Sequence, residues 1–285
     1  MFEPESVEAR QISLAEALRT LRRASGLSGE RLADRTGISQ SKISKIETGK
    51  LRPSITDVEQ IVHALGVDRG YAHELLTLAQ LGTVQYESDR DKSKLGWGKV
   101  QDQLAAIERS AAEIRFLLPT MITGLLQTPE YASVAVNHPV GRQTPEAVQR
   151  EIVARKLARQ RILYDTGKRF RFLFAEAALR WRLLPAPAMA IQLDKVVSFA
   201  ALSSVSVQVI PLSVTMADAP LEVFVAYDDR LVRIETSTCV LALRDPWDIA
   251  FYRAQFDHFS SSALGGEEAR EFISGIADEF RMADG

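Results

Sequence analysis

The sequence predicts an α+β chain: a small all-helical N-terminal domain followed by a larger domain of mixed helix and sheet. Three observations predict it. From Ser13 to Leu81 apolar residues recur three and four apart, in runs set off by capping and turn residues. Beyond position 97, helical runs alternate with short β-rich segments such as Val205-x-Val207-x-Val209. Between these regions lies 82–96, GTVQYESDRDKSKLG, polar, charged and aperiodic, as a connecting segment should be. The expected division is a helical domain over 1–82, a linker over 83–96 and a mixed domain over 97–285.

Taken in order, Ser13-x-x-Glu16 has the form of a capping box ahead of Leu14, Leu18 and Leu21, which share one helical face. Ser28 caps a second helix reaching Arg35, with Leu32 and Ala33 inward. Thr36-Gly37-Ile38 makes a turn, in which Gly37 takes the positive φ that ends a helix and Ile38 plugs the gap between two helices. Ser39 caps a third helix over 40–48, on which Ile43 and Ile46 face the core. Gln40 and Ser44 form one outward row of that helix and Ser41 and Lys45 the next. Gly49 closes it, and Lys50 and Arg52 sit just beyond. After Pro53, either Ser54-x-x-Asp57 or Thr56-x-x-Glu59 starts a fourth helix with Val58, Ile61, Val62 and Leu65 inward, ended by Gly66. A fifth, over about 68–81, uses Leu75, Leu78 and Ala79.

Two helices joined by a tight turn, the second opening with Gln and Ser and followed by Lys, form a helix-turn-helix with a DNA-facing side. Amide and hydroxyl groups donate and accept, as reading base edges requires. Charge supports this locally. The chain has a formal net charge of −2, so no global field draws it to nucleic acid, but from Arg10 to Arg52 ten Lys/Arg face four Asp/Glu.

The larger domain is expected to open with a helix over 97–117, on which Val100, Leu104, Ile107, Ala111 and Ile114 fall at helical spacing. Thr128-Pro129-Glu130 is an N-cap, an N1 proline and a first-turn acid, starting a helix to about Asn137; Thr144-Pro145-Glu146 repeats the signal for a longer helix to about Asp165. Strands are expected over 170–174, 205–209, 221–227, 231–235 and 239–243, with Asp228-Asp229-Arg230 as a hairpin connection. Further helices are expected over 188–202, 246–263 and 267–282.

Two resemblances run through the chain. Gly37-Ile38-Ser39, followed by Ile46-Glu47-x-Gly49 and Arg52-Pro53, resembles the phage-repressor (xenobiotic-response-element-like) helix-turn-helix, a domain of five helices. This implies base contacts from Gln40, Ser41, Ser44 and Lys45, and phosphate contacts near Thr48, Lys50 and Arg52. Lys42 is read as a further phosphate contact. The chain departs from that pattern at Gly29, where the family often has Gln or Arg gripping a phosphate. In the second half, GLLQTPEYA over 124–132, Arg155-x-x-x-Arg159-Gln160 and Glu176-Ala-Ala-Leu179 resemble the C-terminal domain of actinobacterial antitoxin-like transcriptional regulators, with Thr123 where proline is usual. That resemblance implies a short companion protein as partner and supplies no catalytic residues.

Gln127, Tyr131, Arg155, Arg159 and Gln160 are the candidate effector or partner site; the alternative, favoured by the readiness of Arg to form structural ion pairs, is pairing with acids such as Glu151 or Glu176. The basic run 150–171 reads as a solvated helix face rather than a DNA flank contact. His63, His73, His138 and His258 share no ligand spacing with one another or with Cys239, so no metal and no cofactor are expected. Cys239 reads as a small core residue, and the chain lacks both a phosphate-cradling glycine loop and a nucleophile elbow, so no enzymatic activity is expected. Tyr252, Phe256 and Phe259 share a helical face that is either a dimer or partner groove or packing onto the sheet. One cysteine, no apolar run of membrane-spanning length and a polar N-terminus lead us to expect a soluble cytoplasmic protein.

The function expected is a sequence-specific DNA-binding transcriptional regulator, foremost a repressor. It would act as a homodimer on a double-stranded operator, with a C-terminal domain that dimerises and answers to a partner or effector. The alternatives are an antitoxin-like protein whose main task is to bind its small companion protein, and a regulator that senses a small molecule.

Overall fold

The computed structural model describes residues 7–51, 53–88, 96–137 and 144–283. The fold class is α+β, as expected, and the chain divides into two compact units, Met1–Gln85 with Ala242–Asp245 and Tyr86–Leu241 with Pro246–Gly285.

The first unit is built from α1 (Val7–Ala24), α2 (Gly29–Thr36), α3 (Gln40–Glu47), α4 (Ile55–Ala64) and α5 (Arg69–Thr83). The caps read from sequence are in place: the Ser28 side chain accepts from the Arg31 N–H, and the Ser39 side chain accepts from the Lys42 N–H. Gly37 has φ 71° and returns its N–H to the Ala33 carbonyl. Of the two starts weighed for α4, the chain uses Ser54 and Asp57, which bond each other's backbone N–H reciprocally. Ser13 does not begin a helix. Glu8, Ala9, Arg10 and Gln11 before it are good helix formers, and α1 is already under way at Val7. Leu14, Leu18, Leu32, Ile38, Ile43, Ile46, Val58, Ile61, Val62, Leu75 and Ala79 form the core, with Leu21, Ala33, Leu65 and Leu78 at its margin. Each large aliphatic side chain buried there stabilises by about 1.5–3 kcal/mol relative to exposure.

Beyond α5 the chain forms an eight-stranded sheet of order β1-β7-β6-β5-β2-β3-β4-β8. Its strands are β1 (Val84–Ser88), β2 (Glu113–Leu118), β3 (Arg169–Ala175), β4 (Val205–Ile210), β5 (Val223–Tyr227), β6 (Leu231–Glu235), β7 (Cys239–Leu243) and β8 (Leu264–Gly265). The helices are α6 (Trp97–Ser110), α7 (Pro129–Val136), α8 (Glu146–Arg159), α9 (Glu176–Arg180), α10 (Ala186–Ala200), α11 (Pro246–Ser260) and α12 (Gly266–Met282). The strands β2, β3 and β4 run parallel, so the chain crosses over between them through α7 and α8 and then through α9 and α10. Pairing β5 with β2 and β6 is antiparallel.

The pleat sorts the two faces of the sheet. One row runs Val225, Phe116, Phe172 and Val207 across four strands, all buried, with the two phenylalanines stacked 4.6 Å apart. The neighbouring row runs Ala226, Arg115, Arg171 and Ser206 on the opposite face. Two adjacent arginines repel unless a counter-charge lies between them. Asp257 of α11 supplies it, 3.1 Å from Arg115 and 3.4 Å from Arg171, and the Phe256 ring lies beneath both guanidiniums.

Four expectations need correction. Residues 84–88, expected to be linker, form β1; of the rest of that segment, 89–95 lie outside the described residues. The helix expected over 97–117 stops at Ser110, and Glu113–Leu118 is β2. Ile114 is buried from either conformation, which hid the change of period. Asp228, at φ 51° in the β5–β6 turn, fixes the start of that strand by accepting the Ala112 and Glu113 N–H groups at 2.9 and 2.8 Å. Pro145, not Thr144, holds the cap position of α8, and that helix gives way at Gln160–Tyr164 to a 3-10 turn.

Asp57 joins two helices of the first unit. It completes the α4 cap and accepts from the Lys42 ammonium of α3 at 2.7 Å. Burial works against its charge, but Lys42 and the Ser54 N–H outweigh burial and hold the carboxyl below the ordinary carboxylate range. Its contribution is therefore complete above about pH 4 and lost as pH falls through the depressed folded value. Asp57→Ala is expected to lower stability by about 1–2 kcal/mol at pH 7 in urea unfolding. The gap to the parent should narrow below about pH 4, and equal stability at pH 7 would remove Asp57 from this role.

Candidate nucleic-acid interface

α3 has eight residues, two turns of helix, and its inner side chains Ile43 and Ile46 are fully buried. A helix this short does not hold itself in water. Side-chain bonds at both ends fix it. At its C-terminal end Glu47 takes a bidentate bond from Arg22 of α1, at 2.6 and 2.8 Å, while Arg22 also donates to the Leu27 carbonyl at 2.9 Å. In its first turn Lys42 is held by Asp57.

With the inner face so anchored, Gln40, Ser41, Ser44 and Lys45 are all exposed. Among the described residues their side chains carry no hydrogen bond or ion pair. Beyond α3, the N–H groups of Thr48, Gly49 and Leu51 return to the carbonyls of Ser44, Ile46 and Lys45, whereas that of exposed Lys50 makes no backbone bond among the described residues. The Thr48 hydroxyl is turned back onto Ser44 and Lys45 carbonyls. Arg52 lies outside the described residues. The structure thus leaves Gln40, Ser41, Ser44 and Lys45 exposed on α3 and Lys50 exposed just beyond it, and gives Lys42 an internal partner.

Alongside α3 runs a concavity of about 230 Å³ lined by Arg19, Arg22 and Arg23 of α1, Gly29 of α2, and Gln40, Ser44, Glu47 and Thr48. In the sequence those arginines stand out only as part of the local positive charge. Their spacing of three and four places them on one helical face, a signal that was there to be read.

The candidate C-terminal cluster surrounds the 3-10 segment Gly124–Leu126, and its polar atoms are spent on the fold. Gln127, buried, donates to the Ile122 carbonyl at 2.7 Å, and the buried Tyr131 hydroxyl accepts the Ile122 N–H at 3.4 Å. Gln160 donates to the Gln127 and Gly124 carbonyls at 2.7 and 3.1 Å and accepts from Lys195 at 2.9 Å. Arg159 makes a bidentate pair with buried Glu108 and bonds Gln101 at 2.5 Å. Arg155 binds Asp102 at 2.6 Å and Glu151 at 3.0 Å. Glu151 is thus a partner as the alternative expected, whereas Glu176 pairs instead with Arg180 and accepts the Leu212 N–H at 2.7 Å. Lys156, beside this cluster, donates to Gln127 at 3.4 Å; burial and nearby Arg159 push its amine down to about 8.

The aromatic face of α11 divides. Phe256 and Phe259 are fully buried, and the Tyr252 hydroxyl bonds Glu222 at 2.9 Å, so that stripe packs onto the sheet. Trp247 and Phe251 point outward instead, 73% and 50% exposed, with rings stacked 6.0 Å apart. Cys239 is buried, its sulfur 3.2 Å from the Thr236 hydroxyl. His138 lies outside the described residues. Among the described residues no helix is long and apolar enough to cross a membrane.

Comparison with known proteins matches residues 13–75 to the family described as a helix-turn-helix domain. That span contains α2, the Gly37 turn and α3. Solved structures offer remote likenesses. NucT from Helicobacter pylori is 10% identical, covering 64% of this chain and 98% of its own at a TM-score of 0.36. Nuc from Salmonella typhimurium, a phospholipase D family member, is 11% identical over 64% and 97% at 0.36. The archaeal chromatin protein TrmBL2, titled as showing a novel mode of DNA binding, is 14% identical over 93% and 95% at 0.34. At such scores neither fold nor activity transfers. No curated relative matches the chain. Residues 101–275, well over half of the chain, match a domain of unknown function, and the chain belongs to the family that this domain (DUF5753) defines.

Proposed function

We propose that this protein is a sequence-specific transcriptional regulator that reads duplex DNA with the outward face of α3. One observation carries the reading: the helix is anchored on its inner side and at both ends, while Gln40, Ser41, Ser44 and Lys45 are left exposed and unbonded among the described residues, in a helix-turn-helix. Such a helix enters the major groove, where Gln40 and Lys45 reach base edges and Ser41 and Ser44 make shorter contacts. Lys50 holds a phosphate through its ammonium and its backbone N–H, and Arg52 holds the next. Lys42, tied to Asp57, belongs to the anchorage of the helix. The reading assigns no catalysis to either unit and places the protein in the cytoplasm.

Regulation is the task of the second unit in this reading. One reader covers few base pairs, and a dimer sets the spacing of two half-sites. The stacked, exposed Trp247 and Phe251 favour a protein contact, since paired aromatics are anchors of interfaces. We assign them to a homodimer that represses by occupying a promoter; an antitoxin-like bond to a small companion protein is the second use of the same surface.

Binding to DNA from the chain's own promoter region, against random duplex and across a salt series, tests the reader. Gln40→Ala and Lys45→Ala are each expected to cost about 1–3 kcal/mol at the specific site and relax the preference for one base pair. Lys50→Ala should weaken all sequences alike; a loss confined to one sequence would make it a base reader. For the second unit, sedimentation of Trp247→Ser/Phe251→Ser should show monomer where the parent is a dimer, with weaker operator binding. An unchanged dimer would move the interface elsewhere.

A further inference from the structure

The concavity between α1 and α3 holds more positive charge than the fold uses. Three of its lining residues are arginines, Arg19, Arg22 and Arg23, and one is an acid, Glu47. Both Glu47 oxygens are taken by Arg22. Arg19 and Arg23 are exposed, lie four residues apart on one face of α1, and have no ion pair among the described residues. Like charges at that spacing repel, and no acid among the described residues offsets them. Gly29 lines the same space beside Gln40, and a Cβ there would meet Gln40 Nε2 at 3.8 Å, an ordinary contact. Gln40 and Ser44 share the groove, which places it directly beside the row assigned to base contact.

We propose that this groove is a phosphate clamp, in which Arg19 and Arg23 together hold one phosphodiester of the DNA backbone beside Gln40. The proposal rests on the DNA-reading function above. Two guanidiniums forking onto one phosphate fix the duplex against α1, and so set the depth and angle at which α3 enters the groove. Arg22, neutralised by Glu47, forms the floor and takes no part.

The test compares the full chain with Arg19→Gln/Arg23→Gln, Arg19→Lys/Arg23→Lys and the control Arg31→Gln/Arg69→Gln. That control removes two exposed charges that do not line the groove. Binding to promoter and random duplex is measured across salt. The Gln pair should weaken both about tenfold and flatten the slope of log K against log salt by about 0.9, the value for one phosphate, with the base preference unchanged. The Lys pair should keep the slope and lose part of the affinity. Affinity and slope equal to the parent in the Gln pair would overturn the clamp alone, provided Gln40→Ala still impairs binding; an equal loss in the control would reduce the clamp to general charge and overturn it too. A parent that binds no duplex overturns both the clamp and the reading beneath it.

Discussion

The bidentate bond between Arg22 and Glu47 is the interaction on which the reading surface depends. An eight-residue helix has almost no stability of its own, because nucleation costs more than two turns of hydrogen bonds return. Ile43 and Ile46 bury its inner side and so decide which face turns outward, but apolar burial is non-directional and does not hold the ends of the helix in one place. Directional bonds do. Arg22 holds the C-terminal end through a planar fork, and Asp57 holds the first turn through Lys42 while capping the next helix. With rotation and depth fixed, the outward residues are presented as a set, and side chains presented in advance lose less entropy on binding.

The second unit uses arginine in a similar way. Arg159 ties α8 to Glu108 of α6, Arg180 joins Glu176 to Glu279 of α12, and Arg115 and Arg171 share Asp257 of α11 on the polar face of the sheet. The opposite face needs no such help, because Phe116, Phe172 and their neighbours close a continuous apolar layer. Removing one member of a half-buried pair leaves an uncompensated charge, so these pairs specify which helix lies on which strand more than they add net stability. The same accounting explains why Gln127, Arg155, Arg159 and Gln160 have their polar groups engaged within the unit.

Most of the first unit was legible in the sequence because its signals are local. Ser28, Ser39 and Ser54 cap within three residues, Gly37 needs only its own φ, and Ile43 and Ile46 declare a face by spacing. What was not legible was long-range: that Arg22 pairs across 25 positions with Glu47, and that Lys42 is drawn to Asp57 rather than left for a phosphate. Beyond α5 the strands β3 to β7 followed from short apolar, β-rich runs, alternating at Val205, Val207 and Val209, whereas β2 was concealed because Ile114 continues a helical pattern while being equally buried in a strand. The carboxylate that decides its start, Asp228, lies more than a hundred residues away. The stripe of Tyr252, Phe256 and Phe259 was legible as a face, yet only packing shows that it points inward and that Trp247 and Phe251 point out.

Selection of bound duplexes from a randomised pool tests the central claim most directly, since it presupposes no operator. The full chain should enrich one recurring site, and the chain carrying Gln40→Ala/Lys45→Ala should enrich none or a site altered at the contacted base pairs. The same site enriched equally by both chains would place sequence reading outside the exposed face of α3 and contradict the account.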